Sequence, residues 1–185
     1  MPIQKITREE IIRRSLPIFK TQGYHKTTMA DIAGACGLLK GSIYHYFKSK
    51  EELMLNVLFF LNSYYEAKVF SVRNANLSAE EKIEYLIGRS EEIFKGDGNG
   101  CLMASIGLET NSVVQSFKEI TQQFFNNWMN CFHEIYKTRF PEEKARDLAE
   151  AGVAEIEGSL MLMQVFDDGS YLDRSHDRIR KSINA

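Results

Sequence analysis

Apolar residues recur at helical spacing along most of the chain, and no stretch alternates between apolar and polar positions as a half-buried β-strand would. The first stripe follows a capping box at residues 7–10 and consists of Ile11, Ile12, Leu16 and Phe19. Pro17 should bend this helix or remove one of its hydrogen bonds. Gly23 can end it with a positive φ. The pattern therefore predicts a first amphipathic helix.

Similar signals continue along the chain. Thr28 can cap a short second helix that Gly37 ends, and a third helix is predicted over residues 40–46. Further helices are expected at residues 49–73, 79–95, 101–109, 113–138 and 142–166, with a short final helix. The glycine-rich residues 96–100 form the clearest loop. The predicted fold class is all-α, with about nine helices.

Composition narrows the class of protein. With 44% hydrophobic residues and three prolines in 185 residues, the chain can build a packed core. Its three cysteines form neither a disulfide framework nor a metal-ligand pattern, which favours a reducing cytoplasm. Residues 1–12 mix charges with no apolar run, so we expect neither a signal peptide nor a membrane span. No cofactor motif is present.

The charge is unevenly distributed. Residues 1–50 carry nine Lys or Arg residues against three Asp or Glu, a net charge of +6, whereas the remainder of the chain is at −8. A basic segment on an acidic body indicates contact with a polyanion. The alternative is an ordinary solvated face.

Residues 29–48 have the spacing of a helix-turn-helix. Ala33 is small enough for two helices to cross closely, Gly37 supplies the turn, and Ile43 plugs the pair from the second helix. Generic spacing of this kind is weakly specific. The longer pattern at residues 27–33 (TTMADIA), 36–38 (CGL), 41–47 (GSIYHYF) and 49–53 (SKEEL) resembles the TetR family signature.

The resemblance implies a cytoplasmic, all-helical homodimer that binds double-stranded operator DNA. It places the helix-turn-helix domain at residues 1–50 and an effector-binding and dimerisation domain at residues 51–185. The positions that match DNA-facing positions of the family are Lys40, Gly41, Ser42, Tyr44, His45 and Tyr46. Thr27, Thr28 and Lys50 should lie at helix ends, where backbone N–H groups and a cation suit a phosphate.

Other positions of the motif are better interpreted as core: Ile32, Ile43, Phe47 and Leu53. Packing against the following helix is the alternative for Tyr44. Leu39 departs from the family pattern, which has Ser or Thr before the recognition helix. Leucine cannot cap, so we expect a loss of about 1 kcal/mol of local helix stability and of one phosphate contact.

The body has an aromatic and methionine-rich interior. The resemblance implies that such residues enclose a small apolar or aromatic effector, and the candidate ligand-binding residues are Phe94, Cys101, Met103, Phe124, Phe125, Trp128 and Met161. Ordinary core packing is the alternative. Gly100-Cys101-Leu102 resembles the start of a helix in an electrophile- and oxidant-sensing branch of the family, where the helix dipole would favour a thiolate. A small residue packing at a tight helix start is the simpler interpretation of Cys101.

A run of small residues predicts a close approach of two long helices: Ala145, Ala149, Gly152, Ile156, Gly158 and Ser159. The resemblance assigns it to the dimer interface, and a packing seam within one chain is the alternative.

The sequence argues against an enzyme, because His133-Glu134 lacks the second histidine of a metalloprotease motif and no phosphate loop is present. The remaining alternative is a DNA-associated or protein-partner factor that answers to no ligand. Among regulators, a repressor is favoured, because occupancy of a promoter suffices to block transcription.

Overall fold

The fold is entirely helical within the residues that the structure describes, 6–96, 100–110 and 114–184 of a computed structural model. This confirms the predicted all-α class. Part of the predicted loop (residues 97–99) and the predicted helix start at Val113 lie outside the described residues.

The described residues contain eight α-helices: α1 Arg8–Lys26, α2 Met29–Ala35, α3 Lys50–Lys68, α4 Ala79–Phe94, α5 Leu102–Thr110, α6 Gln115–Tyr136, α7 Glu142–Phe166 and α8 Ser170–Ser182. Two short 3₁₀ helices accompany them, Ser42–His45 before α3 and Phe70–Asn74 after it. None of the helices described is both long and apolar enough to cross a bilayer.

The observed elements depart from the prediction in two places. The third helix, expected over residues 40–46, is a single 3₁₀ turn at Ser42–His45. The helix expected to reach Arg73 ends at Lys68, and the 3₁₀ turn that follows buries Phe70 and Val72. The tertiary packing of these two side chains therefore overrides the local sequence pattern that predicted a longer helix.

Helix starts follow the predicted caps. Thr7 with Glu10, Thr28 with Asp31 and Ser78 with Glu81 each form a reciprocal capping box. Ser49 caps the backbone N–H of Glu52, whereas the Glu52 carboxylate accepts from the N–H of Lys48. The non-helical residue within α1 is Gly23, at φ 76°, rather than Pro17.

The chain forms two compact units. The first comprises Met1–Asn62 and Leu102–Thr121, and the second comprises Ser63–Cys101 and Gln122–Ala185. This division by compactness does not test which segment binds DNA, so the functional boundary at residue 50 stays a prediction. The first unit has a core of residues from α1, α2, the first 3₁₀ turn and the start of α3: Ile11, Phe19, Ile32, Ile43, Phe47 and Leu53.

The second unit is built around an aromatic cluster. Phe124 packs edge-on against Tyr65 and Trp128, with ring centroids 5.0 and 5.9 Å apart. Most of the small-residue run of α7 is also buried here, and a Cβ at Gly152 would lie 3.8 Å from the Phe132 ring. The run is therefore a packing seam within one chain over most of its length; Gly158 has no neighbour within 4 Å of its Cβ position.

Candidate nucleic-acid interface

The helix-turn-helix scaffold has the predicted geometry. Ala33 and Ile43 are buried, and Gly37 adopts φ 68° in the turn after α2. The backbone N–H of Leu38 donates to the Ala33 carbonyl at 2.8 Å, and that of Gly37 donates to the Gly34 carbonyl at 3.0 Å. These bonds close the end of α2, because a left-handed residue turns the chain back over the last carbonyls.

The recognition segment, residues 40–46, is held in place by buried residues and backbone hydrogen bonds. The buried Ile43 accepts backbone hydrogen bonds from Tyr46 and Phe47 at 3.0 and 3.1 Å. Phe47 is itself fully buried. No side chain caps the 3₁₀ turn, and Leu39 is 81% exposed. The missing cap predicted from Leu39 is therefore observed.

Most of the residues predicted to contact DNA lie on the exposed face of the recognition segment. Lys40, Gly41, Tyr44 and His45 are exposed, and Ser42 and Tyr46 are half-buried. Tyr44 is 41% exposed, which disfavours the alternative that it packs in the core. A Cβ at Gly41 would meet nothing within 4 Å. The fold itself therefore does not require glycine there, whereas a close approach to a DNA backbone would.

Thr27 lies at a helix end, as predicted, because it is the C-cap residue of α1. Its side chain is buried, however, and its hydroxyl donates to the Gly23 carbonyl at 2.7 Å. The hydroxyl is therefore not available to a phosphate, and a phosphate contact at this helix end stays a prediction. Thr28 is exposed, and its hydroxyl caps α2 beside Asp31. Hydrogen bonds from Thr28 lower the pKa of the Asp31 carboxyl.

Lys50 also has a different role from the predicted phosphate contact. Its ammonium donates to three carbonyls at the end of α1, those of Tyr24, Thr27 and His25, at 2.7, 2.9 and 3.2 Å. It also lies 4.4 Å from the centroid of the Tyr24 ring. Because all three ammonium protons are donated within the protein, Lys50 ties α3 to α1 and offers none to a phosphate.

Arg8 is a positioning residue that the sequence did not reveal. Its guanidinium lies 4.1 Å from the Phe47 ring centroid, donates to the Tyr46 carbonyl and pairs with Glu52 at 3.1 Å. It thus clamps the end of the recognition segment to the start of α3. A pairing across 38 residues leaves no local signal, although Arg8 belongs to the basic segment.

A carboxylate on α5 holds the other end of the same scaffold. Glu109 accepts from the backbone N–H groups of Tyr24 and His25, and the Tyr24 ring packs edge-on against Phe117 at 5.3 Å. Burial raises the pKa of the Tyr24 phenol, with the charges of Glu51 and Glu109 adding to the effect. Helix α5 is therefore part of the unit that carries the recognition segment.

A second candidate site lies in the aromatic core of the second unit. A cavity of about 20 Å³ is lined by eleven residues, of which Phe94 and Trp128 were predicted. Tyr65, Phe70 and Ser90 were missed, although α4 shows the helical spacing that brings Ser90 to the same face as Leu86 and Phe94. This volume holds about one water molecule, so the cavity is closed to an aromatic ligand in this conformation.

The other predicted ligand-binding residues divide into three groups. Phe124 and Phe125 are not among the residues lining the cavity but contact the Trp128 ring that is: Phe124 is buried and packs edge-on against it, and Phe125 is half-buried beside it. Cys101 and Met103 are buried but are not among the residues lining the cavity. Met161 is 58% exposed on α7, so its assignment to an interior pocket is wrong. It belongs to the outer face of that helix.

Cys101 is buried immediately before α5 and is hydrogen-bonded to Glu157. Burial raises the pKa of the Glu157 carboxyl to about 7, against the lowering effect of that bond. A thiol this enclosed is inaccessible to large reagents in solution. The geometry fits the packing interpretation better than the sensor interpretation.

Comparison with known proteins identifies the family of this fold. The family described as bacterial regulatory proteins of the tetR family matches residues 11–57. The family described as the C-terminal domain of LmrA/YxaF-like transcriptional regulators matches residues 79–178. A solved TetR transcriptional regulator from Legionella pneumophila superposes with a TM-score of 0.88 at 25% identity, over 98% of this chain and 99% of that one.

The chain therefore belongs to the TetR family of DNA-binding transcriptional regulators, which are not enzymes. Within it, the C-terminal part is of the LmrA/YxaF-like type. The chain is 26% identical to the uncharacterized regulator YxaF of Bacillus subtilis over 84% of both chains. It is 24% identical to the regulator LmrA of the same organism, over 84% of this chain and 85% of that one.

Proposed function

We propose that the protein is a cytoplasmic repressor that binds a palindromic operator as a homodimer and is released by a small apolar or aromatic effector. The observation that carries the proposal is the exposure of Lys40, Tyr44 and His45 in the recognition segment. The same segment is held in the core by the buried side chains of Ile43 and Phe47. Exposed polar and aromatic side chains on a segment with a buried, well-packed inner face are suited to contact phosphates and base edges in a major groove.

An exposed apolar stripe on α7 supports a homodimer, the usual state of TetR regulators. Ala154 and Gly158 are followed on the same face by Met161 and Val165, which are 58% and 70% exposed. Phe166, the last residue of α7, is also 59% exposed and lies to one side of this stripe. These residues face away from the buried seam of α7, and a second copy related by two-fold symmetry would remove them from water.

The aromatic core supports an apolar or aromatic effector. The cavity walls are rings and branched aliphatic side chains, with the Ser90 hydroxyl as a polar group among them. Because the present volume admits about one water, binding requires rotation of rings such as Phe70 or Trp128 away from each other. An effector of this kind would select an opened state that the operator-bound form disfavours.

Helix α5 is the element we expect to carry the signal to DNA. Its Glu109 binds the backbone N–H groups at the end of α1, and Lys50 binds the carbonyls of the same turn from the other side. A shift of α5 would therefore reorient α1 and the recognition segment packed on it.

The closed cavity also favours a second candidate, a DNA-bound factor of the same fold that answers to no ligand. In that case operator affinity would be indifferent to small molecules. A third possibility, release by oxidation or alkylation of Cys101, predicts an oxidant response that Cys101→Ser abolishes. An unchanged response in that variant would refute it.

The proposal is tested by selecting bound DNA from a random pool with the full-length protein. A palindromic consensus occupied by two chains supports it, and unselective binding contradicts it. The complex of the protein with the selected operator is then challenged with small apolar and aromatic compounds. Release by one of them, together with binding to free protein, distinguishes the effector-controlled repressor from the factor without a ligand.

A further inference from the structure

Three metal-binding side chains converge on one face of the second unit, where α4 packs against α8. Glu91 comes from α4, and Asp173 and His176 come from α8. One ligand atom of each lies within 4.8 Å of the others. Acidic side chains at a protein surface are common without any ion, so the histidine is what distinguishes this cluster.

His176 is buried and only half satisfied. Its side chain is 0% exposed, and its Nε2 lies 3.0 Å from the hydroxyl oxygen of Ser90. Its Nδ1 has no hydrogen-bond partner and points toward the Glu91 carboxylate, with the two atoms 3.7 Å apart. That separation is too long for a hydrogen bond, and an unpaired buried nitrogen is costly.

The cluster already attracts a cation. The Lys95 ammonium lies 2.5 Å from an Asp173 carboxylate oxygen and 3.4 Å from one of Glu91. It neutralises the two carboxylates only in part and leaves the imidazole nitrogen without a partner. An ion that accepts all three ligand atoms would satisfy every group at once.

We propose that Glu91, Asp173 and His176 bind a divalent transition-metal ion of the zinc class, with Lys95 displaced into solvent. One imidazole, two carboxylates and water form a ligand set that Zn²⁺ and Co²⁺ accept. Ligand atoms about 2.1 Å from an ion stand up to about 4 Å apart, a distance that small rotations of Glu91 and Asp173 supply.

The partner of the other ring nitrogen fits this assignment. A metal-bound histidine usually places its second nitrogen against a fixed oxygen, and Ser90 provides one for His176. Because Ser90 also lines the aromatic cavity, an ion here would fix one polar group of that wall.

Sequence reasoning found no metal pattern because the ligands come from two helices more than 80 residues apart in the chain. The site is also independent of DNA binding. A failure of the operator experiments leaves it standing, and its own failure leaves the repressor proposal unaffected.

The test is titration of chelator-treated full-length protein with Co²⁺ and with Zn²⁺. We expect one ion per chain, visible-region Co²⁺ absorption, and a higher melting temperature with either ion. Asp173→Asn and Glu91→Gln should each weaken binding at least tenfold. Asp177→Asn, one turn further along α8 and also exposed, should leave it unchanged. Lys95→Gln should tighten it, because the competing ammonium is gone.

Three outcomes would overturn the proposal. One is the absence of saturable binding, and another is wild-type affinity in both Asp173→Asn and Glu91→Gln. The third is intense near-ultraviolet sulfur-to-cobalt absorption, which would assign the ion to a cysteine. The two carboxylate variants carry the test, because His176→Gln removes a buried side chain and can unfold the protein for that reason alone.

Discussion

The carboxylate of Glu109 accepts a hydrogen bond from the backbone N–H of Tyr24 at 2.8 Å. Its other oxygen accepts from the next N–H, that of His25, at 2.7 Å. Gly23, at φ 76°, leaves room for this approach, since a Cβ there would lie 3.0 Å from the Glu109 carboxylate. One side chain of α5 thus fixes the turn between the two helices on which the recognition segment rests.

Replacing Glu109 should loosen that turn. For Glu109→Ala we expect a loss of about 1–3 kcal/mol in the free energy of unfolding, because two N–H groups lose a charged acceptor. Operator affinity should fall as well, and urea denaturation with fluorescence anisotropy on DNA measures both. Glu119→Gln, an exposed position on α6, is the matched control. Equal stability of the two variants would contradict this role.

Two glycines near the helix-turn-helix should respond in opposite directions. Gly37 adopts φ 68°, so Gly37→Ala should lower the free energy of unfolding by about 1 kcal/mol. Gly34 lies inside α2 with nothing within 4 Å of its Cβ position, so Gly34→Ala should raise it by up to about 1 kcal/mol. Thermal unfolding of the pair gives the comparison, and shifts of the same sign would refute it.

The free energy of unfolding should fall as pH rises, because the buried Glu157 carboxyl loses its proton. Its carboxyl has a pKa of about 7 in the folded chain against an ordinary value of 4.5, because burial disfavours the carboxylate. The folded state therefore holds a proton that the unfolded state releases, and stability present below pH 4.5 is lost up to about pH 7. The loss is at most about 3 kcal/mol.

Glu157→Gln removes the titrating carboxyl, so the unfolding free energy should decline less with rising pH. The difference in unfolding free energy between wild type and variant isolates Glu157 from His176, whose lowered pKa acts in the opposite direction over an overlapping range. Glu150→Gln, an exposed position on α7, should keep the wild-type profile. An unaltered profile in Glu157→Gln would show that the carboxyl titrates normally.

The elements predicted best are those specified by neighbours in the chain. Capping boxes at Thr7, Thr28 and Ser78 appear as expected, since a cap involves residues three positions apart. The turn at Gly37 and the buried Ile43 follow equally from local spacing. The prediction that a helix extends to Arg73 is wrong, because the tertiary packing of Phe70 determines where the helix ends.

The candidate site divides in the same way. Exposure of Lys40, Tyr44 and His45 could be predicted, because their positions within the motif determine which side faces outward. The roles of Lys50 and Thr27 could not be predicted. Lys50 binds carbonyls 23 to 26 positions earlier in the chain, and Thr27 turns inward to Gly23. The sequence alone does not distinguish a charged group or hydroxyl that binds within the protein from one that binds a phosphate, because both lie at a helix end.

A charge on the outer face of α7 should separate the proposed dimer. Val165→Glu places two carboxylates against each other across a two-fold axis, so we expect monomers by sedimentation and loss of binding to a palindromic operator. Leu77→Glu changes another exposed apolar residue outside this face and should leave the dimer intact. A dimeric Val165→Glu protein would move the interface elsewhere.

Salt dependence of operator binding tests the central assignment, that the exposed face of residues 40–46 contacts DNA, most directly. For Lys40→Ala we predict either a salt slope reduced by about 1 or relaxed selectivity at one base pair, and for Tyr44→Ala a loss of about 1–3 kcal/mol in affinity. Lys68→Ala, an exposed lysine at the end of α3, should behave as wild type. Wild-type affinity, slope and selectivity in both Lys40→Ala and Tyr44→Ala would contradict the account.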